Sequence, residues 1–425
     1  MEIFHASASE AELEHFYLAA LTSLVATMYP TVAPDEDEKD AMDHDAVATP
    51  KPDPTPAPTG ILADLLKVCL DELKEPDKSN ATPAIKMVSA AIAGSDAAAR
   101  IVAPAVLEQQ LRLYANGDEV ARRPAIAGVL GSVLIALRTR PSAIVHAATL
   151  ETSHDELLSV LVSCARTAAS RSEGLRGLQA ALQLTGALDP AETTLAIQVI
   201  NDLLAGNAAD QDGIAEDALD ALIDLTSSHA SAIETKSVPI LLASLPEVGP
   251  ADEAALARAR IAISRLARLC SAPHSQAMRE TLVIRCLARL AAVGRAPANR
   301  LSLAYAQHLL AALALVPTGI RLLPGLFGIF LTPAVEPGLE ESVAAQSSVL
   351  VSAGRVMTLA VQQLDQECVS LELVPELIPQ TASQAGGRAA PGVPRRSAAT
   401  ARALASARWS CIRAHGGASA VRSTS

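Results

Sequence analysis

The residues best suited to chemistry in this sequence are its nine histidines and six cysteines. The histidines lie at positions 5, 15, 44, 146, 154, 229, 274, 308 and 415, and none has metal-ligand spacing to another histidine or cysteine. The cysteines lie at positions 69, 164, 270, 286, 368 and 411, and none forms a CxxC pair. These spacings predict no metal centre and no redox-active pair.

Three smaller groupings are weaker candidates for sites. Asp43, His44 and Asp45 are adjacent, but they lie in a strongly acidic stretch and are predicted to be solvated. Cys270 and Cys286 are predicted on neighbouring helices, where a cluster would need about four thiolates, so both are predicted to be small buried apolar residues. The acidic pairs at 36 and 38 and at 340 and 341 are ordinary exposed charges.

The sequence also lacks the short motifs that position phosphates or nucleophiles. It contains no GxxxxGK[ST], no GxGxxG after a strand, no GxSxG and no HExxH. We therefore predict no catalytic, cofactor-binding or metal-binding residue, no cofactor, and a chain that is not an enzyme.

The elements that carry these residues are predicted to be paired helices. Apolar residues recur at i, i+3, i+4 and i+7 in stripes that start at residues 157, 196, 238 and 283, so the steps are 39, 42 and 45 residues. A second helix is predicted between successive stripes, at 173–188, 215–227 and 253–270. Two helices per roughly 40–47 residues is the period of HEAT and armadillo repeats. The predicted fold is an all-α, α-α superhelix (a solenoid), with an irregular Ala/Leu-rich bundle as the alternative.

The composition constrains the partners of such a fold. Half of the residues are hydrophobic but only 2% are aromatic, so few rings are available to stack on bases. The formal net charge is −12, and because 380–425 holds seven arginines and no acidic residue, the remainder carries −19. We expect protein partners with basic faces, and neither direct nucleic-acid binding nor membrane association. The apolar stretches 124–137 and 322–331 are too short to span a bilayer. The scattered cysteines suit a reducing compartment.

Four regions are predicted along the chain. Residues 1–30 form part of one repeat, and 31–59 form a disordered acidic, proline-rich loop whose PxxP spacing also suits an SH3-like groove. Residues 60–380 form the repeat solenoid. Residues 381–425 form a disordered arginine-rich tail, which is either a basic arm or a non-native reading frame.

Local signals predict several helix ends. Asp189 precedes Pro190, with Glu192 three residues on, which is the signature of a capping box. Asp96 is predicted to cap a helix, Pro104 to kink or start one, and 119–138 to be one long helix. In the first helix, six apolar residues form a helical stripe (Leu13, Phe16, Tyr17, Ala20, Leu21 and Leu24).

The order of four segments resembles the MMS-nineteen family of HEAT-repeat proteins, named for methyl methanesulfonate sensitivity. They are Glu2-Ile3-Phe4 with Glu12-Leu13-Glu14 and Ala20-Leu21, then 102–114 (VAPAVLEQQLRLY), 237–245 (SVPILLASL) and 279–290 (RETLVIRCLARL). The likeness covers residues 1–295 and fades towards 380. The family chain is much longer, so the resemblance implies an internal piece of it.

The resemblance implies a non-enzymatic adaptor of the cytosolic iron–sulfur assembly targeting complex, in cytoplasm and nucleus. Such an adaptor brings apo-proteins of DNA replication, repair and transcription, notably iron–sulfur helicases and polymerases, to the late assembly machinery. It also implies links to nucleotide excision repair. No residue can be carried over as a contact. The competing prediction is a generic HEAT scaffold, such as a transport receptor or a regulatory arm of a phosphatase or kinase.

Overall fold

A computed structural model describes residues 10–29, 60–140, 142–206, 213–316, 319–331 and 341–372. The chain divides into two units, Met1–Glu367 and Cys368–Ser425. Of the second unit, only the end of one helix is described. The predicted loop at 31–59 and the predicted tail at 381–425 both lie outside the described residues, as do Asp43, His44 and Asp45.

The described residues form fifteen α-helices and no β-strand, which confirms the all-α prediction. The helices are α1 (Glu10–Met28), α2 (Ile61–Glu72), α3 (Ala81–Gly94), α4 (Asp96–Ala115), α5 (Arg123–Arg138), α6 (Ala143–Leu150), α7 (His154–Arg166), α8 (Arg171–Leu182), α9 (Pro190–Ala205), α10 (Ile214–Ala243), α11 (Glu253–Cys270), α12 (Gln276–Gly294), α13 (Arg300–Leu315), α14 (Gly319–Leu331) and α15 (Ser347–Glu372).

The helices of the first unit stack in two layers. In the first layer α3, α5, α8, α10, α11 and α13 each pack on the next, and in the second layer the same holds for α2, α4, α7, α9, α10, α12 and α14. Partners across the layers are consecutive in the chain, as in α7 with α8 and α12 with α13. Each helix pair therefore contacts mainly its neighbours, which is the stacking of a helical-repeat solenoid.

Helix α10 belongs to both layers because a break divides it into two helical segments. Its backbone leaves the helical region at His229, where φ is −127° and ψ is 30°. The His229 Nε2 atom lies 2.7 Å from the carbonyl oxygen of Leu182, the last residue of α8. The chain thus passes from one layer to the other at a single residue, with 214–228 in the first layer and 230–243 in the second.

The four predicted apolar stripes lie on α7, α9, the second half of α10 and α12, which are equivalent second-layer helices. Nearly all their residues are buried in one continuous core. The predicted partner helices correspond to α8, the first half of α10 and α11. The predicted capping box is present, since Asp189 Oδ1 accepts from the Glu192 amide at 2.7 Å and Glu192 Oε2 accepts from the Asp189 amide at 2.8 Å.

Glycines allow α8 to pack closely on its neighbours. A Cβ at Gly174 would lie 2.3 Å from the backbone nitrogen of Ala165 in α7. One turn later, a Cβ at Gly177 would lie 2.4 Å from the side chain of Leu161, and Gly177 also faces Gly131 of α5. These positions admit no larger residue without movement of the helices, which explains the GLRG sequence in the middle of a repeat.

Two local predictions were wrong. Ser95, not Asp96, caps α4: its backbone is extended and its Oγ accepts from the Ala98 amide at 3.1 Å. Asp96 is the first helical residue and pairs with Arg140 at 2.7 Å. Pro104 lies inside α4, so of its two predicted roles it does not start a helix. The single helix predicted at 119–138 is a 3-10 helix (Gly117–Arg122) followed by α5.

Among the described side chains of the predicted α1 stripe, Leu21 packs against the core. Phe16 and Tyr17 are 67% and 59% exposed, and Leu24 is exposed as well. The helix packs on α3, with Val25 buried and Thr22 Oγ1 3.4 Å from the Ala90 carbonyl oxygen. Which side of an amphipathic helix is covered depends on its neighbours, and α3 is the helix on which α1 packs.

By length and hydropathy, the segment Val120–Arg138 is sufficient to cross a membrane, with a mean hydropathy of 1.6. In this fold it contains α5, which packs on α3, α4 and α8. Ile126, Leu130 and Leu134 are fully buried there. Burial on several sides accounts for the apolar character of the segment.

Candidate protein-interaction surface

Polar side chains join consecutive repeats across the surface of the first layer. Gln179 of α8 donates to Asp224 of α10 at 2.9 Å, and Arg138 of α5 donates to Gln183 of α8. Arg265 of α11 pairs with Glu216 of α10 at 3.2 Å. The bonded residues lie 45–49 positions apart in sequence. Each bond therefore links a helix to the same-layer helix of the next repeat.

The first half of α10 presents an acidic ridge to solvent. Glu216, Asp220 and Asp224 are spaced four residues apart on one exposed face. Arg268 of α11 bridges Glu216 and Asp220, and with Arg265 it compensates much of the charge of the ridge. The ridge is thus used largely for contacts between repeats.

The adjacent part of the chain is basic. Residues 253–300 hold nine arginines, no lysine and only two acidic residues, Glu253 and Glu280, in a chain whose net charge is −12. On α11, Arg258 and Arg260 are exposed, and neither has an ion pair with any residue that the structure describes. Burial lowers the pKa of His308 on α13, and the charge of Arg260 lowers it further. His308 is therefore uncharged at neutral pH and adds no positive charge to this part of the surface.

The amino-terminal ends of α11 and α13 lie side by side. Arg300, the first residue of α13, reaches Glu253, the first residue of α11, at 3.5 Å, and both side chains are largely exposed. Asp252 and Asn299 cap the two helices by accepting from backbone amides. Because both helix dipoles point their positive ends to this edge, they add to the positive potential of the arginines.

A cleft of about 760 Å³ opens beside the amino-terminal half of α13. Its described lining combines four apolar residues with six polar ones, which are three amides, an arginine, a glutamate and a serine (Pro297, Ala298, Leu303, Ala304; Asn299, Gln307, Gln346, Arg300, Glu341, Ser348). Such a lining offers hydrogen-bond donors and acceptors suited to a polypeptide backbone.

The thiols that the structure describes are buried and unactivated. Burial raises the pKa of Cys69 to about 11 and of Cys270 and Cys286 to about 12. Burial also raises the pKa of Cys164. Thiols in this state remain protonated at neutral pH and are poor nucleophiles and metal ligands. Their placement agrees with the prediction that Cys270 and Cys286 are core residues.

One group with potential metal ligands could not be recognised from the sequence. His154, Asp155 and Glu192 bring their ligand atoms within 4.8 Å of one another. His154 Nε2 lies 3.4 Å from Glu192 Oε2, which already accepts the Asp189 amide in the capping box. The group lies at the amino-terminal turns of α7 and α9, whose dipoles disfavour a cation. We interpret it as a contact between repeats, and the expectation of no bound metal stays a prediction.

No residue was predicted as a site, so the surface of the first layer is a finding of the structure. The basic part of this surface could have been recognised in the sequence from the nine arginines at 253–300. The net charge of the whole chain, which is negative, does not reveal it. The contacts between repeats were not predictable, because they join residues about one repeat apart whose register depends on the stacking.

The chain matches no model of a known protein family and no curated protein.

Proposed function

We propose that this chain is a non-enzymatic scaffold that binds protein partners along the surface of its first helical layer. The observation that carries the proposal is the continuous exposed surface over successive repeats, with an acidic ridge on α10 beside a basic surface on α11 and α13. A stack of repeats offers an extended surface rather than a single pocket, which suits polypeptides.

The narrower form of the proposal is an adaptor that delivers apo iron–sulfur proteins to the cytosolic assembly machinery, in cytoplasm and nucleus. The support for this form is the resemblance of the four segments to the MMS-nineteen family. Three of these segments, 102–114, 237–245 and 279–290, lie on equivalent second-layer helices, α4, α10 and α12. Many of their apolar residues are buried, so they carry packing rather than partner contacts, and we assign no client-binding residue to them.

The test is to purify the tagged full chain from cells of its native organism and to identify the co-purifying proteins by mass spectrometry. We expect iron–sulfur assembly factors together with iron–sulfur helicases or polymerases, and enrichment of the clients when cluster assembly is blocked. A tagged unrelated helical-repeat protein is the control.

Enrichment of phosphatase or kinase catalytic subunits, or of transport cargo, in place of assembly factors would contradict the adaptor and support the generic scaffold. Failure to retain any protein above the control would contradict both forms of the proposal. The outcomes differ in which proteins co-purify rather than in how much of one protein is recovered, so one experiment distinguishes them.

A further inference from the structure

We propose that the basic surface formed by Arg258 and Arg260 of α11 with Arg300 of α13, here called the arginine surface, binds an acidic polypeptide segment. The inference rests on the proposed scaffold function and names the chemistry of one partner.

The first argument is that the arginines of α11 divide into two sets. Arg265 and Arg268 are engaged by the acidic ridge of α10 and hold two repeats together. Arg258 and Arg260 are exposed, and no described acidic group pairs with either. Because both guanidinium groups are exposed to solvent, leaving them unpaired has no desolvation cost, and both remain available to bind carboxylates.

The second argument is that positive potential extends from α11 to the amino-terminal end of α13. Arg300 lies there beside the first residue of α11, and the positive ends of both helix dipoles lie at the same edge. Two carboxylates also lie at this edge, Glu253, which pairs with Arg300, and Asp252, which caps α11. Arg258 and Arg260 lie further along α11 and have no described ion pair, so they are available to an incoming carboxylate.

The third argument concerns the shape and chemistry around the charges. Ile261 is 41% exposed on the same side of α11 as Arg258 and Arg265, so an apolar contact is available between the arginines. The cleft beside α13 includes Arg300 and is lined by three amide side chains and one carboxylate, Glu341, so a segment that enters it would place its polar backbone rather than its acidic side chains there. A segment with acidic residues and an occasional apolar side chain fits this combination.

An acidic polypeptide is favoured over a nucleic acid for two reasons. The acidic ridge at Glu216, Asp220 and Asp224 lies immediately beside α11, and it would repel a phosphate backbone that extends beyond the arginine surface. The residues that form the surface also include no aromatic ring on which bases could stack. A short acidic segment can be confined to α11 and α13.

The test uses the full chain and three fluorescent probes in an anisotropy titration. The probes are a short peptide of glutamate and aspartate interrupted by leucine, the same peptide with lysine in place of each acidic residue, and a single-stranded oligonucleotide. We expect the acidic peptide alone to bind, and its affinity to fall as salt is raised across the physiological range. The variant Arg258→Glu/Arg260→Glu should weaken that binding by about tenfold or more, since two attractive contacts become repulsive.

The matched control is Arg176→Glu, which reverses an exposed arginine of α8 in the same layer but in another repeat. It should change the affinity by less than about twofold, in the range of a remote surface charge. Circular dichroism and melting of all variants should match the unsubstituted chain, because Arg258 and Arg260 are exposed and form no ion pair with a described residue.

The double variant changes the net charge by about −4 and the control by about −2. An equal loss per reversed charge in the two variants would overturn the proposal, because binding would then follow overall charge. Tighter binding of the oligonucleotide would replace the acidic polypeptide by a nucleic acid. If the acidic peptide does not bind, while the double variant still retains the same cellular partners as the unsubstituted chain, the arginine surface has no such role although the scaffold function stands.

Discussion

The close packing of α8 on α7 predicts that Gly174→Ala destabilises the chain. Inside a helix, replacing glycine by alanine normally stabilises by about 0.5–1 kcal/mol. Here the new methyl carbon would lie 2.3 Å from the Ala165 nitrogen, 2.7 Å from its Cα and 2.7 Å from the Cys164 carbonyl carbon. All three are backbone atoms of α7, so no side chain can rotate away, and the two helices must separate.

The size of the effect follows from what must move. Overpacking in a well-packed core costs about 1–3 kcal/mol, and the contact with backbone places Gly174→Ala at the upper end of that range. After the helix-propensity gain, we expect a net loss of about 2 kcal/mol. Gly177→Ala should cost less, because the atom it meets at 2.4 Å is the mobile end of the Leu161 side chain.

Gly354→Ala provides the matched control. Gly354 lies on an exposed face of α15, and a Cβ there meets no atom within 4 Å. This variant should be neutral or more stable by up to about 1 kcal/mol. The assay is denaturant unfolding followed by circular dichroism, with hydrogen exchange of α7 and α8 to locate the change. If Gly174→Ala is as stable as Gly354→Ala, the close approach of α7 and α8 is wrong.

Three further predictions follow from single contacts. Ser95→Ala should destabilise the chain by about 1 kcal/mol in denaturant unfolding, whereas Asp96→Ala should leave the cap of α4 intact. Loss of the cap in the Asp96 variant alone would contradict the assignment of Ser95 as the capping residue. Burial raises the pKa of Cys270 and Cys286 from 9.0 to about 12, so the stability that these protonated thiols contribute is complete below pH 9 and is lost as the pH rises towards 12. The midpoint of denaturant unfolding should therefore fall between pH 9 and pH 12. It should fall less steeply in a variant with alanine at both positions. Arg268→Ala should lower the unfolding free energy by less than about 1 kcal/mol, because the ion pairs of Arg268 are partly exposed, and a larger loss would mean that the pairs are less screened than their exposure implies.

Helix existence and pairing could be predicted because each helix buries one face against the same kind of neighbour in every repeat. The stripe on α9 and the capping box at Asp189 are local patterns of this kind. Separate helices were predicted at 215–227 and at the stripe from 238, but that the break between them is confined to His229 was not predictable, since neither glycine nor proline marks it. It depends on a bond to Leu182, which lies 47 residues earlier and comes close only after stacking. The exposed face of α1 shows the same limit, because the periodicity of a stripe does not say which neighbour covers it.

The arginines of α11 show how one helix can serve both the fold and binding. Arg265 and Arg268 lie two and three turns along from Arg258, on the side that faces the acidic ridge, and their charge is used in stacking. Arg258 and Arg260 lie nearer the amino-terminal end of α11, where the described part of α10 places no acidic partner against them. Since exposed ion pairs add little to stability, selection for stacking alone would not require four arginines on this helix. The unpaired two are therefore better explained by an external anionic group, and the acidic ridge restricts that group to a segment short enough to stay on α11 and α13.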